Sequence, residues 1–117
     1  MRKKVYHLGT CSTCQRIIKQ LGLDQDFDMQ DIKTEAITAA QLDEMKALNG
    51  SYESLFSRRA MKYRAMGLGE RDLSEDDYRD LILEEYTFLK RPVILIGDQI
   101  FVGNSKKVVA AAEAALS

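Results

Sequence analysis

Two cysteines near the start of the chain have a spacing that allows joint chemistry. Cys11 and Cys14 lie in the segment TCSTC and are the only cysteines among 117 residues. Such a pair can be a redox couple, half of a metal site, or two unrelated thiols in one helix. A structural zinc site needs four ligands, and the single histidine, His7, supplies at most a third. The sequence therefore favours a redox pair, and neither a bound metal nor a bound cofactor is expected.

Composition and charge narrow the class of protein. The chain has 45% hydrophobic and 30% charged residues with a formal net charge of −1. These values predict a single domain, 1–117, and argue against a nucleic-acid coat or a polybasic membrane anchor. The basic start MRKKVYHLGTC has too short an apolar stretch for a signal peptide, so a cytoplasmic protein is expected. A lasting disulfide is not expected in that reducing compartment.

The cysteines follow one predicted strand and open one predicted helix. The segment KKVYHL is short and rich in β-forming residues, which indicates a strand. The segment QRIIKQLGL has apolar residues at helical spacing, and Gly22 is placed to end the helix. The segment DFDMQDI alternates and predicts a second strand. A β-α-β unit of this kind is normally parallel and right-handed.

The middle of the chain is predicted to be helical. Thr38 followed by Gln41 resembles a capping box at the start of one helix. Ser51 is placed to cap a second helix, YESLFSRRAMKYRAM, which ends at Gly67. Ser74 is placed to cap a third helix, EDDYRDLILEEYTFLK, whose first turn is acidic as the helix dipole prefers.

The C-terminal part returns to strands. Arg91 and Pro92 precede VILIG, which reads as a buried strand. Asp98 and Gln99 are predicted to turn into a second strand, IFVG, and Asn104 to cap the final helix SKKVVAAAEAALS. The fold class predicted is α/β: a thioredoxin-like mixed four-stranded sheet covered by helices on both faces, with a helical insertion at about 38–90 between its β-α-β and β-β-α halves.

This arrangement gives the two thiols different roles. Backbone N–H groups at the start of a helix favour a thiolate, so Cys11 is expected to be the exposed attacking thiol. Cys14, one turn further, lies within disulfide reach of Cys11 and can resolve a mixed disulfide. The hydroxyls of Thr10, Ser12 and Thr13 can either hydrogen-bond the thiolate or only cap the helix. Both readings of the hydroxyls stay open.

Pro92 is the only proline in the chain and stands where a buried strand begins. Its missing N–H does least harm at that position, which is also true of an ordinary trans proline. Thioredoxin-like proteins commonly have a cis-proline there, facing the cysteines. The Arg91–Pro92 bond is therefore predicted to be cis.

Three segments together resemble a known family. YHLGTCSTCQR, LFSRRAMKYRAMGL and KRPVILIGDQIFVGN are similar, in order and spacing, to the glutaredoxin-linked arsenate reductase (ArsC) family and its Spx-type C-x-x-C relatives. The resemblance implies a thioredoxin-like core, with Cys11 as the nucleophile. It also implies that His7 helps to lower the pKa of this thiol, although a lone histidine on a strand is as often a core residue. Arg91 matches an arginine that holds the oxyanion, a task that suits the guanidinium fork.

Some positions depart from the reductase pattern. Cys14 replaces a reductase serine, which moves the chain toward the Spx-type pattern. Ser57 stands where reductases have an arginine, with Arg58 and Arg59 directly after it as substitutes. Gly103 replaces a further arginine. Arsenate reduction is therefore expected to be weak, and Gly103→Arg to raise it if the backbone angles there allow a side chain.

Two classes of function remain. The first is a thiol oxidoreductase acting on arsenate or on a disulfide, with glutathione and glutaredoxin, or thioredoxin, as the external reductant. The second is an Spx-like redox-sensing transcriptional regulator that binds RNA polymerase. A monomer without direct contact to nucleic acid or membrane is expected in either case. The basic cluster Arg58, Arg59, Lys62 and Arg64 is either an anion pocket or a solvated helix face.

Overall fold

The computed structural model describes residues 2–23 and 25–116. Two compact units are present: a sheet unit, made of Met1–Ala36 and Arg91–Ser117, and a helical unit, Ile37–Lys90. The order of elements is β1 (Lys3–His7), α1 (Ser12–Leu21), β2 (Asp28–Asp31), α2 (Ala39–Asn49), α3 (Met61–Ala65), α4 (Glu75–Glu84), β3 (Val93–Ile96), β4 (Gln99–Val102) and α5 (Lys106–Leu116). Within the described residues, no helix is long and apolar enough to cross a bilayer.

The sheet unit is built on four strands in the order β2-β1-β3-β4. β1 runs parallel to β2 and antiparallel to β3, and β3 pairs antiparallel with β4. Tyr6 of β1 lies opposite Val93 of β3. Because the two strands are antiparallel, the C-terminal end of β1 and the N-terminal end of β3 lie next to each other. The mixed four-stranded sheet confirms the predicted α/β fold class.

One face of the sheet forms an apolar core with two helices. Val5, Ile94 and Ile96 are buried there with Ile18 of α1 and Ala112 of α5. The strand residues alternate in sequence because successive side chains of a strand point to opposite faces. Burying a side chain of this size stabilises the fold by roughly 1.5–3 kcal/mol. This core fixes α1, which contains Cys14 and begins directly after Cys11.

The boundaries of the sheet unit differ from the predicted ones in two places. The hairpin turn is formed by Gly97 and Asp98, with Gln99 already in β4, because Gly97 supplies the positive φ of 63°. The final helix is capped by Ser105 rather than Asn104, since the Ser105 hydroxyl accepts a hydrogen bond from the Val108 amide at 3.2 Å. The predicted end of α1 at Gly22 is confirmed, with φ at 68°.

Two helices of the helical unit begin with reciprocal caps. The Thr38 hydroxyl accepts from the Gln41 amide, and the Gln41 side chain accepts from the Thr38 amide, which confirms the predicted capping box. Ser74 and Asp77 exchange the same pair of bonds at the start of α4. Such a cap stabilises a helix by about 1 kcal/mol because it satisfies N–H groups that lack a partner in the helix.

The predicted helix through residues 52–66 is wrong. A short 3-10 turn, Glu53–Leu55, is followed by extended backbone at Phe56, and the helix resumes only as α3. Phe56 pairs with Leu89 as an isolated β-bridge, and the Lys90 amide donates to the Leu55 carbonyl at 2.8 Å. The buried Phe56 ring stacks on Phe88. Burial of this aromatic ring outweighs local helix preference, and the same pairing ends α4 at Glu84, before the predicted Lys90.

An ion pair in the helical unit is expected to make its stability depend on pH. A hydrogen bond from the Arg79 guanidinium, and to a smaller extent one from the Tyr52 hydroxyl, holds the pKa of Asp43 at about 2, below the ordinary 3.8. Arg79 donates two bonds to this carboxylate, at 2.8 and 3.2 Å. A lowered carboxylate pKa contributes stability above the ordinary value, and the contribution is lost as pH falls toward 2. Asp43→Asn should therefore destabilise the protein at pH 7 and make progressively less difference below pH 4.

Urea unfolding at a series of pH values measures this difference. Asp72→Asn is the matched control, because Asp72 is exposed and lies in the loop before α4. An Asp43→Asn penalty as large near pH 2 as at pH 7 would show that the carboxylate charge is not its source.

Candidate active site

The backbone places Cys11 at the start of α1. Cys11 is the N-cap residue, with extended angles of φ −92° and ψ 109°, so the helix begins where the sequence predicted. Its amide donates to the Leu8 carbonyl at 3.0 Å, and its carbonyl accepts from the Gln15 amide at 3.1 Å. A Cβ at Gly9 would lie 2.5 Å from an Asp31 carboxylate oxygen, so a larger residue there would displace the Asp31 side chain. The loop is thereby held at both ends.

The two thiols are reduced and adjacent. Cys11 is partly exposed, whereas Cys14 is buried in the first turn of α1. They lie 3.6 Å apart. A disulfide needs the two sulfurs at about 2.05 Å, so the cysteines must come closer to form one. The predicted disulfide reach between the two positions is confirmed.

The surroundings of Cys11 favour its thiolate. Partial burial opposes ionisation, but hydrogen bonds from the Cys14 amide and thiol, the charge of Arg91 and the Thr13 amide together lower the pKa of Cys11 below its ordinary value. Amides at the start of a helix point outward without a helical partner, and they stabilise negative charge. The Cys11 thiol therefore ionises more readily than an ordinary cysteine.

The surroundings of Cys14 favour the neutral thiol. Burial raises the pKa of Cys14 to about 12, and the neighbouring Cys11 adds to the increase. A thiol that stays protonated donates a hydrogen bond to the Cys11 thiolate, so the two shifts support each other. The pKa values of the two thiols are therefore shifted in opposite directions.

Arg91 and Pro92 complete the site from the start of β3. The Arg91–Pro92 peptide bond is cis, which confirms the prediction. The charge of Arg91 lowers the pKa values of both thiols. The Gly103 amide donates to the Pro92 carbonyl at 3.0 Å and holds this loop against the end of β4. An anion that reached Cys11 would therefore meet a guanidinium and the amides of α1.

The hydroxyl residues and His7 stay predictions as site residues. The Thr13 group that contributes to the Cys11 environment is its amide, while Thr10 and Ser12 are exposed. The ring of His7 lies beside Gln15, whose amide nitrogen is 3.3 Å from Nδ1 and also donates to the Leu8 carbonyl. Sequence reasoning missed Gln15, and its position directly after Cys14 was the one available signal.

Arg58 and Arg59 lie in the helical unit. The Arg58 guanidinium pairs with Glu53 at 2.8 Å and donates to the Tyr78 hydroxyl at 3.1 Å, whereas Arg59 is exposed. Their predicted contact with a substrate stays a prediction. Within residues 2–23 and 25–116, no group of three or more potential metal ligands occurs.

Gly103→Arg is expected to destabilise the protein, which corrects the prediction that it would raise arsenate turnover. The condition for that gain fails, because Gly103 has a φ of 97°, in a region that side chains rarely adopt. Space is not the obstacle, since a Cβ there would have no neighbour within 4 Å. A residue held in such backbone costs about 1–3 kcal/mol. Urea unfolding measures the loss, and full stability together with faster arsenate turnover would contradict it.

Asn104→Arg is the matched control for this change. It adds the same charge one residue later, and positive φ among the described residues is confined to glycines. Asn104 is also exposed, so its variant is expected to keep the stability of the wild type.

Known proteins are similar to this chain over nearly its whole length. The sequence model described as the ArsC family matches residues 6–112. The global transcriptional regulator Spx of Lactiplantibacillus plantarum is 25% identical over 104 residues, which are 87% of this chain and 79% of the regulator.

Solved structures have the same fold. The YffB (PA3664) protein matches with a TM-score of 0.80 at 24% identity, over 98% of this chain and 99% of that one. The arsenate reductase from Vibrio cholerae matches with a TM-score of 0.75 at 21% identity, over 95% of this chain and 97% of that one. At these identities the similarity shows the fold, and it agrees with the thioredoxin-like plan predicted from the sequence.

Proposed function

The chain belongs to the ArsC family, and from this premise we propose that it is a thiol oxidoreductase in which Cys11 attacks and Cys14 resolves. The observation that carries the proposal is the pair of opposite pKa shifts at two thiols 3.6 Å apart. A thiolate is the reactive form of cysteine, and a neighbouring protonated thiol can take over in the second step.

The proposed reaction moves two electrons from the cysteine pair to a disulfide substrate. The Cys11 thiolate attacks one substrate sulfur, forms a mixed disulfide and releases the other sulfur as a thiolate, which takes up a proton. Cys14 then loses its proton, attacks the Cys11 sulfur and releases the second substrate thiol. The product on the protein is the Cys11–Cys14 disulfide. Glutathione with glutaredoxin, or thioredoxin, supplies the two electrons that restore the dithiol.

Arsenate is a second substrate of the same chemistry. Attack by Cys11 on arsenic would release one oxygen as water, and attack by Cys14 on the Cys11 sulfur would then release arsenite. Arg91 supports this reading, because its charge acts at both thiols and would also attract an oxyanion. Gly103 offers no second guanidinium at the end of β4, so arsenate turnover is proposed to be slow.

A coupled assay with two reductant systems tests the proposal. Reduction of arsenate and of a small disulfide is followed through NADPH consumption above that of the reductant system alone, with glutaredoxin, glutathione and glutathione reductase, or thioredoxin and its reductase, supplied separately. Disulfide reduction is expected with at least one system and is expected to be lost in Cys11→Ser. No turnover of either substrate with either system, by protein whose thiols titrate as reduced, would overturn the proposal.

Cys14→Ser is expected to accumulate mixed disulfides on Cys11. The serine hydroxyl cannot attack the Cys11 sulfur, so the first intermediate has no internal route of release. The wild type, by contrast, should form a monomer with an intramolecular disulfide after mild oxidation. Mass spectrometry under non-reducing conditions distinguishes the two products. A disulfide-linked dimer as the main oxidised wild-type species would remove the resolving role from Cys14.

A second candidate function is a redox-sensing regulator that acts on RNA polymerase. The observation in its favour is the similarity to the transcriptional regulator Spx, together with a second cysteine in the C-x-x-C pair. In that case oxidation of the pair would change binding to the polymerase. A pull-down of purified RNA polymerase by reduced and oxidised protein separates the two functions, since the enzyme alone predicts no redox-dependent capture.

A further inference from the structure

A cavity of about 830 Å³ in the helical unit has basic walls. It is formed by the loop before α3, by α3 itself and by the short turn after it. The side chains that matter to its chemistry are Arg58, Arg59, Met61, Tyr63, Arg64 and Glu70. The reaction steps proposed above use none of the residues that line this cavity.

The cavity has an excess of positive charge. Arg58 is paired with Glu53, so its charge is already balanced. Among the described residues of the helical unit, the other ion pairs join Lys62 to Glu85 and Arg79 to Asp43. None of these pairs uses Arg59 or Arg64, which are both exposed. Two guanidinium groups on the cavity wall therefore face a single carboxylate, that of Glu70.

The cavity also has an apolar part. Met61 is 90% exposed, so its thioether is accessible to a partner. The Tyr63 ring, which also lines the cavity, packs edge-to-face with Phe56 at 5.9 Å and lies 3.6 Å from the position a Gly69 Cβ would take. Methionine, tyrosine and arginine are enriched at protein–protein interfaces, where an unbranched thioether adapts to different partners.

We propose that this cavity docks an acidic peptide segment of a partner protein. Carboxylates of the segment pair with Arg59 and Arg64, and an apolar side chain between them covers Met61. Charge complementarity selects the acidic segment. The exposure of Arg59, Arg64 and Met61 favours a peptide over a small ion, because an ion held only by solvated guanidinium groups gains little binding free energy. A peptide adds the burial of Met61 to the same charge pairs.

Fluorescence anisotropy with two labelled pentapeptides tests the proposal. The acidic probe is Asp-Glu-Leu-Asp-Glu, and the neutral probe is Asn-Gln-Leu-Asn-Gln. The acidic probe is expected to bind, with an affinity that falls as salt is added. Arg59→Glu combined with Arg64→Glu should weaken binding by about tenfold or more, since each exposed pair turns from attraction to repulsion. Met61→Ser should weaken it several-fold.

Lys107→Glu is the matched control, because it reverses one charge at an exposed position of α5. It should leave the affinity unchanged, and circular dichroism should show that every variant is folded. Four results would each overturn the proposal: no binding of the acidic probe, equal binding of the neutral probe, full binding by the double arginine variant, or displacement of the probe by an equal concentration of inorganic phosphate. The last result would assign the cavity to a small anion.

Discussion

Limiting iodoacetamide at pH 7 is expected to alkylate Cys11 at least about thirty times faster than Cys14. Cys14 ionises near 12 and Cys11 below the ordinary 9.0, so their thiolate fractions differ by at least about a thousandfold. A less basic thiolate is also a weaker nucleophile, which removes roughly half of this advantage on a logarithmic scale. Burial of Cys14 also hinders access of the reagent, which increases the difference in alkylation rate further. Peptide mapping by mass spectrometry after partial reaction measures the ratio.

The single-cysteine variants provide the controls for this measurement. Cys14→Ser should react at a rate close to that of wild-type Cys11, while Cys11→Ser should react slowly. The alkylation rate of Cys11 should rise with pH to a midpoint below 9.0, because only the thiolate reacts and the pKa of Cys11 is lowered from that value. Equal labelling of the two cysteines would contradict the division of roles, and faster labelling of Cys14 would reverse it.

Arg91→Ala is expected to reduce arsenate turnover by about ten- to a hundredfold and disulfide turnover by much less. Arsenate arrives with negative charge, and Cys11 must attack it as a thiolate, so like charges are brought together. A charge-assisted hydrogen bond to such an anion contributes about 1.5–3 kcal/mol, which corresponds to this loss. A neutral disulfide has no negative charge for Arg91 to hold. Its reduction should change only through the pKa of Cys11, which the Arg91 charge helps to lower.

Arg91→Lys is the informative control, because it keeps the charge and removes the guanidinium fork. It should retain most of the disulfide activity and recover part of the arsenate activity. The quantity to compare is the ratio of the two activities in each variant. An equal loss of both activities in Arg91→Ala would show that Arg91 supports the fold of the loop and does not hold an oxyanion.

Local signals predicted most of the sheet unit. The strand–loop–helix order around TCSTC and the helix end at Gly22 depend on neighbouring residues, and the structure confirms both. The cis bond at Pro92 was expected by analogy with thioredoxin-like proteins, and it is also confirmed. The central error, a continuous helix through residues 52–66, has a non-local cause. Phe56 pairs with Leu89, far along the chain, and no periodicity within the segment carries that information.

The residue types of the candidate site could be predicted from the sequence, but the size of the pKa shifts and the local backbone angles could not. Helix position indicated which cysteine would attack, yet the strength of the Cys14 shift depends on burial, which the sequence does not give. The substitution at Gly103 was judged by charge alone, and its backbone angle is set by the end of β4. Gln15 was overlooked because its contacts with His7 and Leu8 arise only when α1 folds back beside β1.

The most direct test is a pH titration of the thiolate ultraviolet absorbance of the reduced protein, taken as the difference from each Cys→Ser variant so that the absorbance of the five ionising tyrosines cancels. Two separate transitions are expected, one below 9.0 for Cys11 and one near 12 for the buried Cys14. Cys11→Ser should abolish the first transition, and Cys14→Ser the second. A single transition that accounts for both thiols at the ordinary cysteine value would contradict the division of roles between them.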